Sequence, residues 1–187
     1  PERLAAVVRM VTVSVPPTSA DEVVDLVSTL IRFDTSNTGD PATTKGEADC
    51  AQWVGDRLRE VGYTCEYLEA GAPGRGNLFA RLPGADPDRG ALLIHGHLDV
   101  VPAEPADWSV HPFSGAVKDG YVWGRGAVDM KDMVGMMIAV ARHFKRHGIV
   151  PPRDLVFAFV SDEEHGGTYG AQWLVDGRTW RVVRQLA

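Results

Sequence analysis

The stretch Ala91-Leu92-Leu93-Ile94-His95-Gly96-His97-Leu98-Asp99 decides how this chain is read. Its first four residues are continuously apolar rather than alternating, the pattern of a strand buried on both faces of a parallel sheet. The residues that follow carry imidazole and carboxylate. Downstream, Asp154 to Val160 is apolar in the same way and runs into Ser161-Asp162-Glu163-Glu164-His165. Between the two, Met130 to His147 is long enough, and rich enough in Met, Val and Ala, to form a largely buried helix. Strand, helix and strand in that order imply a right-handed crossover within an α/β sandwich.

Upstream, Ser19-Ala20-Asp21-Glu22 reads as a capping box ahead of Val23, Val27, Leu30 and Ile31, which recur at helical spacing. A turn-rich break spans 39–44. Ala51, Val54, Leu58 and Val61 then repeat every three to four residues until Gly62, which predicts a second helix over 46–62. Thr64 to Leu68 and Asn77 to Leu82 suit strands, separated by the glycine-rich turn at 71–76. Residues 1–18 are expected to be a disordered leader, with Arg9 interrupting a weakly apolar run and Met10 a candidate start.

Composition narrows the function. A formal charge of -6 without a Lys/Arg-rich run argues against nucleic acid and against anionic membrane surfaces, because phosphate binding needs clustered positive charge. No apolar run is long enough to span a bilayer, and a cytoplasmic location is expected. Cys50 and Cys65 form no CxxC pair and read as small buried hydrophobes rather than as a disulfide or a cysteine zinc site.

In a parallel sheet the loops leaving the carboxyl ends of the strands converge on one edge, and ligands bind there. That rule places 95–99 and 161–165 together, with Gly124-Arg125-Gly126-Ala127-Val128-Asp129-Met130-Lys131 leading into the helix between them. Histidine nitrogen and carboxylate oxygen are the usual protein ligands of catalytic zinc. His97 and Asp99, two apart in extended chain, point to the same side, so Asp99 can orient the His97 ring. Glu163 and Glu164 diverge, which lets one bind metal while the other faces the attacking water. Taken singly, Asp129 reads as a helix N-cap, the glutamate pair as a solvated loop and His97 as a structural histidine; their co-location favours a site. His95, His111, His143 and His147 are assigned to packing, loop or helix-end roles, with the 108–115 loop pinned by Trp108 and Phe113.

Four stretches, Ile94 to Pro102, Trp108 to Gly115, Gly124 to Lys131 and Asp162-Glu163-Glu164, resemble the zinc peptidase family of aminoacylase, acetylornithine deacetylase, succinyl-diaminopimelate desuccinylase and bacterial glutamate carboxypeptidase. The resemblance runs from about Asp21 to Gly177, in the family's order and spacing. It implies a three-layer α/β sandwich with a mostly parallel central sheet, incomplete at its C-terminal end, with residues 19–177 forming part of the catalytic domain. It implies that His97 binds one zinc, Asp129 bridges two, Glu164 binds the second, Glu163 is the general base and Asp99 supports His97. A cis peptide between Asp129 and Met130 is part of the same pattern. The implied reaction is hydrolysis of an amide or peptide bond in a dipeptide or N-acyl amino acid by zinc-activated water, with cobalt a possible substitute metal.

The resemblance also implies a further carboxylate ligand, a further histidine ligand and an inserted lid domain that supplies dimer contacts. Beyond Glu164, Asp176 comes too early and His165 sits beside the pair, so each zinc is expected to lack one protein ligand. Residues 178–187 turn basic and depart from the pattern, as a truncated gene would. The alternative is therefore a non-catalytic remnant of such an enzyme. An unpaired strand edge is then expected to favour self-association.

Overall fold

The computed structural model describes residues 16–176; most of the expected leader and all of the 178–187 tail lie outside them. Helix α1 (Ser19–Ile31) buries Leu26, Val27, Leu30 and Ile31. Its cap lies one residue earlier than expected: the Asp21 carboxylate accepts from the Thr18 amide at 2.8 Å and from the Thr18 hydroxyl at 2.7 Å. Helix α2 (Ala48–Arg59) buries Cys50, Ala51, Val54 and Leu58. Strands β1 (Cys65–Glu69), β2 (Gly76–Leu82) and β3 (Leu92–His97) follow. A short hairpin, β4 (Ala116–Lys118) and β5 (Tyr121–Trp123), turns through Asp119 and Gly120, both at positive φ, a two-residue turn that the sequence reading passed over. Helix α3 (Lys131–Arg146), strand β6 (Leu155–Val160) and a short helix α4 (Ala171–Val175) complete the elements.

The fold is α/β, as expected, around a four-stranded sheet in the order β1-β2-β6-β3. The sheet is mixed rather than mostly parallel. Among the described strands, β3 and β6, joined through α3, are the one parallel pair; β1–β2 and β2–β6 are antiparallel. The reason is the short 70–75 connection, which can only return the chain antiparallel, whereas a helical crossover is what allows a parallel pair.

β6 is central and buried along its whole length, as its unbroken apolar run predicted. Leu155, Phe157 and Phe159 face α2 and α3 together with Leu78, Ala80 and Leu82 of β2. Ala158 and Val160 turn to the other face with Phe79, where Leu174 of α4 packs. Each of the Leu, Val and Phe side chains among them contributes about 1.5–3 kcal/mol by burial. β3 departs from the two-sided burial expected of it: Leu92 and Leu93 are 48% and 43% exposed. Among the described residues β3 pairs with β6 alone, and α3 closes over it only near Gly96, where an added Cβ would lie 3.2 Å from Met137 Sδ. Helix α3 is also less buried than its composition suggested, with Val134, Met137, Ile138 and Ala141 inward and Met133, Met136 and Val140 exposed. None of the described helices is long and apolar enough to cross a membrane.

Parallel pairing sets the location of the site. His97 is opposite Val160, so the segments leaving β3 and β6 emerge side by side. The chain after α1 is laid along the first of them: the Asn37 amide donates to the Val100 carbonyl at 2.9 Å and the Thr35 hydroxyl donates to the Leu98 carbonyl at 2.7 Å.

Candidate metal centre

His97 ends β3 with its ring buried. Nδ1 lies 3.0 Å from the Asp99 backbone carbonyl, which can only accept, so Nδ1 carries the proton and Nε2 is turned toward the acidic cluster. Nε2 is 3.1 Å from Asp129 Oδ1 and 3.6 Å from Glu163 Oε2. Burial works against a charged His97 ring, but the hydrogen bond and charge of Asp99, with Glu163 behind them, outweigh it and lift the group to about 9. Asp129 lies one residue outside the N-cap of α3, a position taken by Met130, and the Asp129–Met130 peptide is cis.

One ligand atom each from His97, Asp129 and Glu164 falls within 4.8 Å of the others, a set that could hold a metal ion. Glu164 Oε1 accepts from the Val101 amide at 3.2 Å. Burial raises the Glu164 carboxyl above its ordinary range, the nearby Asp129 and Asp99 charges add to the rise, and His97 and the Val101 amide oppose it. Glu163 stands outside this trio, its side chain 57% exposed and its Oε2 3.6 Å from the imidazole Nε2.

Asp99 has a wider reach than expected. Its carboxylate is 3.5 Å from His97 Nδ1, longer than the contact the ring makes to the Asp99 carbonyl. The shorter bonds of the carboxylate come from the Glu163 amide (3.1 Å), the Glu164 amide (3.0 Å) and Asn37 Nδ2 (2.9 Å). Burial raises the Asp99 carboxyl, but the donors from His97, Asn37 and Glu164 more than reverse this and hold it below the ordinary range. Asp99 thus ties the imidazole to the glutamate pair.

Behind these residues lies a buried network that the sequence reading missed. Asn37 Nδ2 also donates to Asp162 Oδ1 at 3.0 Å, and Asp162 Oδ1 accepts from Arg75 Nη2 at 2.8 Å. Arg75 in turn grips Glu47 with Nε to Oε2 at 2.9 Å and Nη2 to Oε1 at 3.0 Å. All of these side chains are buried. Burial pushes the Glu47 carboxyl up to about 7 against the pull of Arg75. No local pattern marks them: Asn37 and Arg75 sit in irregular segments, and Glu47 reads as an acid at a helix start. Around the site, Arg75, Lys131 and a protonated His97 are outnumbered by the carboxyl groups of Glu47, Asp99, Asp162, Asp129, Glu163 and Glu164, a surplus that a divalent cation would offset. The donor set fits zinc, which takes imidazole nitrogen and carboxylate oxygen.

The other histidines lie outside this trio. His95 and His111 are exposed, His143 stacks on His147 at the end of α3, and the His165 ring lies over Gly39, where an added Cβ would come within 2.5 Å of it. Cys50 and Cys65 are free.

The profile of peptidase family M20/M25/M40 matches residues 93–185, the stretch that carries all three converging side chains. Succinyl-diaminopimelate desuccinylase of Methylorubrum populi is 39% identical over 149 residues, covering 77% of this chain and 37% of that enzyme. The chain belongs to peptidase family M20/M25/M40. The enzyme of the same name from Delftia acidovorans is 34% identical over 139 residues, covering 73% of this chain and 36% of its own length. Among solved structures, human carnosine dipeptidase 1 is similar with a TM-score of 0.72 and 25% identity, over 89% of this chain and 37% of that one. The chain therefore spans a little over a third of the length of these M20/M25/M40 relatives.

Proposed function

We propose that His97, Asp129 and Glu164 hold a divalent cation, zinc in the first instance, and that residues 19–177 form the metal-binding part of an amidohydrolase acting on small N-acyl amino acids or dipeptides. The convergence of these side chains, carried by the end of β3, the start of α3 and the loop after β6, is the observation that supports this most strongly. The substrate class is suggested by relatives named for desuccinylation and for dipeptide cleavage. Asp129, with its side chain 74% exposed at the mouth, has room to bridge a second ion, and cobalt is expected to substitute.

A bound cation would supply Lewis acidity, polarising the scissile carbonyl and making water more acidic. The remaining chemistry belongs to the chain. Glu163, open to solvent and beside His97, takes a proton from the attacking water as the new C–O bond forms. It then returns that proton to the amine nitrogen as the C–N bond breaks, so that water is consumed and a carboxylic acid and an amine are released, which exchange the remaining proton to leave as carboxylate and ammonium. Asp99 accepts from the Glu163 and Glu164 amides and so positions the backbone from which Glu163 serves as base and Glu164 as cation ligand.

Turnover of N-succinyl amino acids and dipeptides by the zinc-loaded chain tests this reading. Glu163→Gln keeps the shape but loses the base, and should lower the rate by about 10²–10⁴-fold while zinc stays bound. Full activity in that variant would remove Glu163 from the mechanism. Zinc binding without turnover in the unaltered chain would favour a non-catalytic remnant instead.

A further inference from the structure

The Asn37 side chain donates both of its amide hydrogens to buried carboxylates from different strand ends. One goes to Asp99 Oδ2 at 2.9 Å and the other to Asp162 Oδ1 at 3.0 Å. Its Oδ1 accepts from the Gly39 amide at 3.1 Å and from the Thr44 hydroxyl at 3.3 Å, which fixes the orientation of the amide. The backbone is pinned separately by the Asn37 amide to the Val100 carbonyl. Without Asn37, Asp99 and Asp162 would be neighbouring anions with no direct bridge, since Arg75 reaches Asp162 and Glu47 while the other groups facing the Asp99 carboxylate are His97 and the amides of Glu163 and Glu164. Asp162 immediately precedes the glutamate pair and takes a left-handed conformation, with φ 68°, which turns the chain so that the Glu163 and Glu164 amides face Asp99. A neutral double donor is the group that can join two carboxylates without adding charge.

We propose that Asn37, which touches none of the candidate metal ligands' side chains, is a positioning residue: by joining Asp99 to Asp162 it fixes the distance between the two strand-end loops and so the placement of Glu163 and Glu164 opposite His97. Arg75 and Glu47 anchor the far side of the same bridge. Residues that orient metal ligands from behind commonly alter affinity when changed, because the ligands then sample unproductive positions.

The experiment compares the full chain with its Asn37→Ala, Asn37→Ser and Thr44→Ala variants by two readouts. The first is hydrogen exchange of the amides at 163–165 without metal, and the second is zinc affinity by chelator competition. Asn37→Ala should speed exchange at 163–165 while β2 and β6 stay protected, and should weaken zinc by about 10- to 100-fold. Asn37→Ser, with one donor, should fall between; Thr44→Ala, which removes one of the two donors to Asn37 Oδ1 and leaves the Gly39 amide and both carboxylate bonds in place, should change exchange less than either Asn37 variant. Unchanged exchange at 163–165 in both Asn37 variants would overturn the proposal, and so would faster exchange spread evenly over the whole sheet. The zinc arm rests on the metal-centre reading above, and the exchange arm does not. An unaltered chain that binds no zinc would defeat that reading while exchange still decides the role of Asn37.

Discussion

Replacing Arg75 by methionine removes the cation between two buried carboxylates. The guanidinium makes paired bonds to Glu47 and a third to Asp162, all at 2.8–3.0 Å, and neither acid is more than marginally exposed. Removing one partner of a buried pair leaves its counter-charge desolvated and costs about 3–5 kcal/mol. A cavity of about 230 Å³ beside Arg75, lined in part by Gly39, Asp162, His165 and Tyr169, admits water and places the cost near the lower figure. Three kcal/mol is about a hundredfold in the folding equilibrium. Urea denaturation of the metal-free chain reads this directly, with the midpoint falling and the slope unchanged.

Acidity gives a second handle on the same variant. Glu47, already raised by burial, rises further without Arg75. A carboxyl whose folded value lies above its unfolded value is stabilising below the unfolded value and loses that contribution as pH rises through the folded one. The penalty of Arg75→Met should therefore be smaller at pH of about 5.5 than at about 7.5. In the double variant with Glu47→Met, the cost should fall short of the sum of the single changes by at least about 1 kcal/mol. A loss below about 1 kcal/mol, or strict additivity, would refute the view that Arg75 neutralises these acids.

Three further outcomes follow from the geometry. Because Asp99 and Glu163 hold the His97 ring protonated up to about 9, and a ligand imidazole must give up that proton, zinc affinity should rise about tenfold per pH unit from about pH 6.5 to about 8.5; an affinity that is flat over this range argues against His97 as a ligand. Gly170→Ala would set a Cβ 1.8 Å from the Ser161 carbonyl oxygen, which the backbone cannot accept without moving, and should cost about 1–3 kcal/mol in thermal denaturation. Leu93→Thr on the exposed side of β3 should change stability by no more than about 0.5 kcal/mol, whereas Phe157→Ala at the centre of β6 should cost about 3–5 kcal/mol.

The parts of the site that could be read from sequence are those set by strand ends. The unbroken apolar run at 154–160 marks a central strand, and the polar residues that follow such runs must collect at one edge. That rule brought the 95–99 and 161–165 clusters together, whereas the assignment of Asp129, and of Glu164 rather than Glu163, to the metal came from the family resemblance. The run at 91–94 looks the same, but its burial depends on neighbours that sequence does not specify, and β3 came out exposed. Sheet direction depended on connection length: the short 70–75 link makes β1 and β2 antiparallel whatever their composition. Asn37, Glu47 and Arg75 were hidden because their meaning lies in partners up to 125 residues away, and nothing in their own neighbourhoods sets them apart. Asp99 was found for the right position but with too narrow a role, since amides of residues 163 and 164 carry no signal in a side-chain pattern.

The most direct test of the central claim is zinc titration of the intact chain, followed by chelator competition, alongside His97→Ala, Asp129→Ala and Glu164→Ala. The convergence of these side chains predicts saturable zinc binding that each substitution weakens sharply, with cobalt giving a spectrum that changes in parallel. Zinc that fails to bind, or that binds equally well to all of these variants, would contradict it.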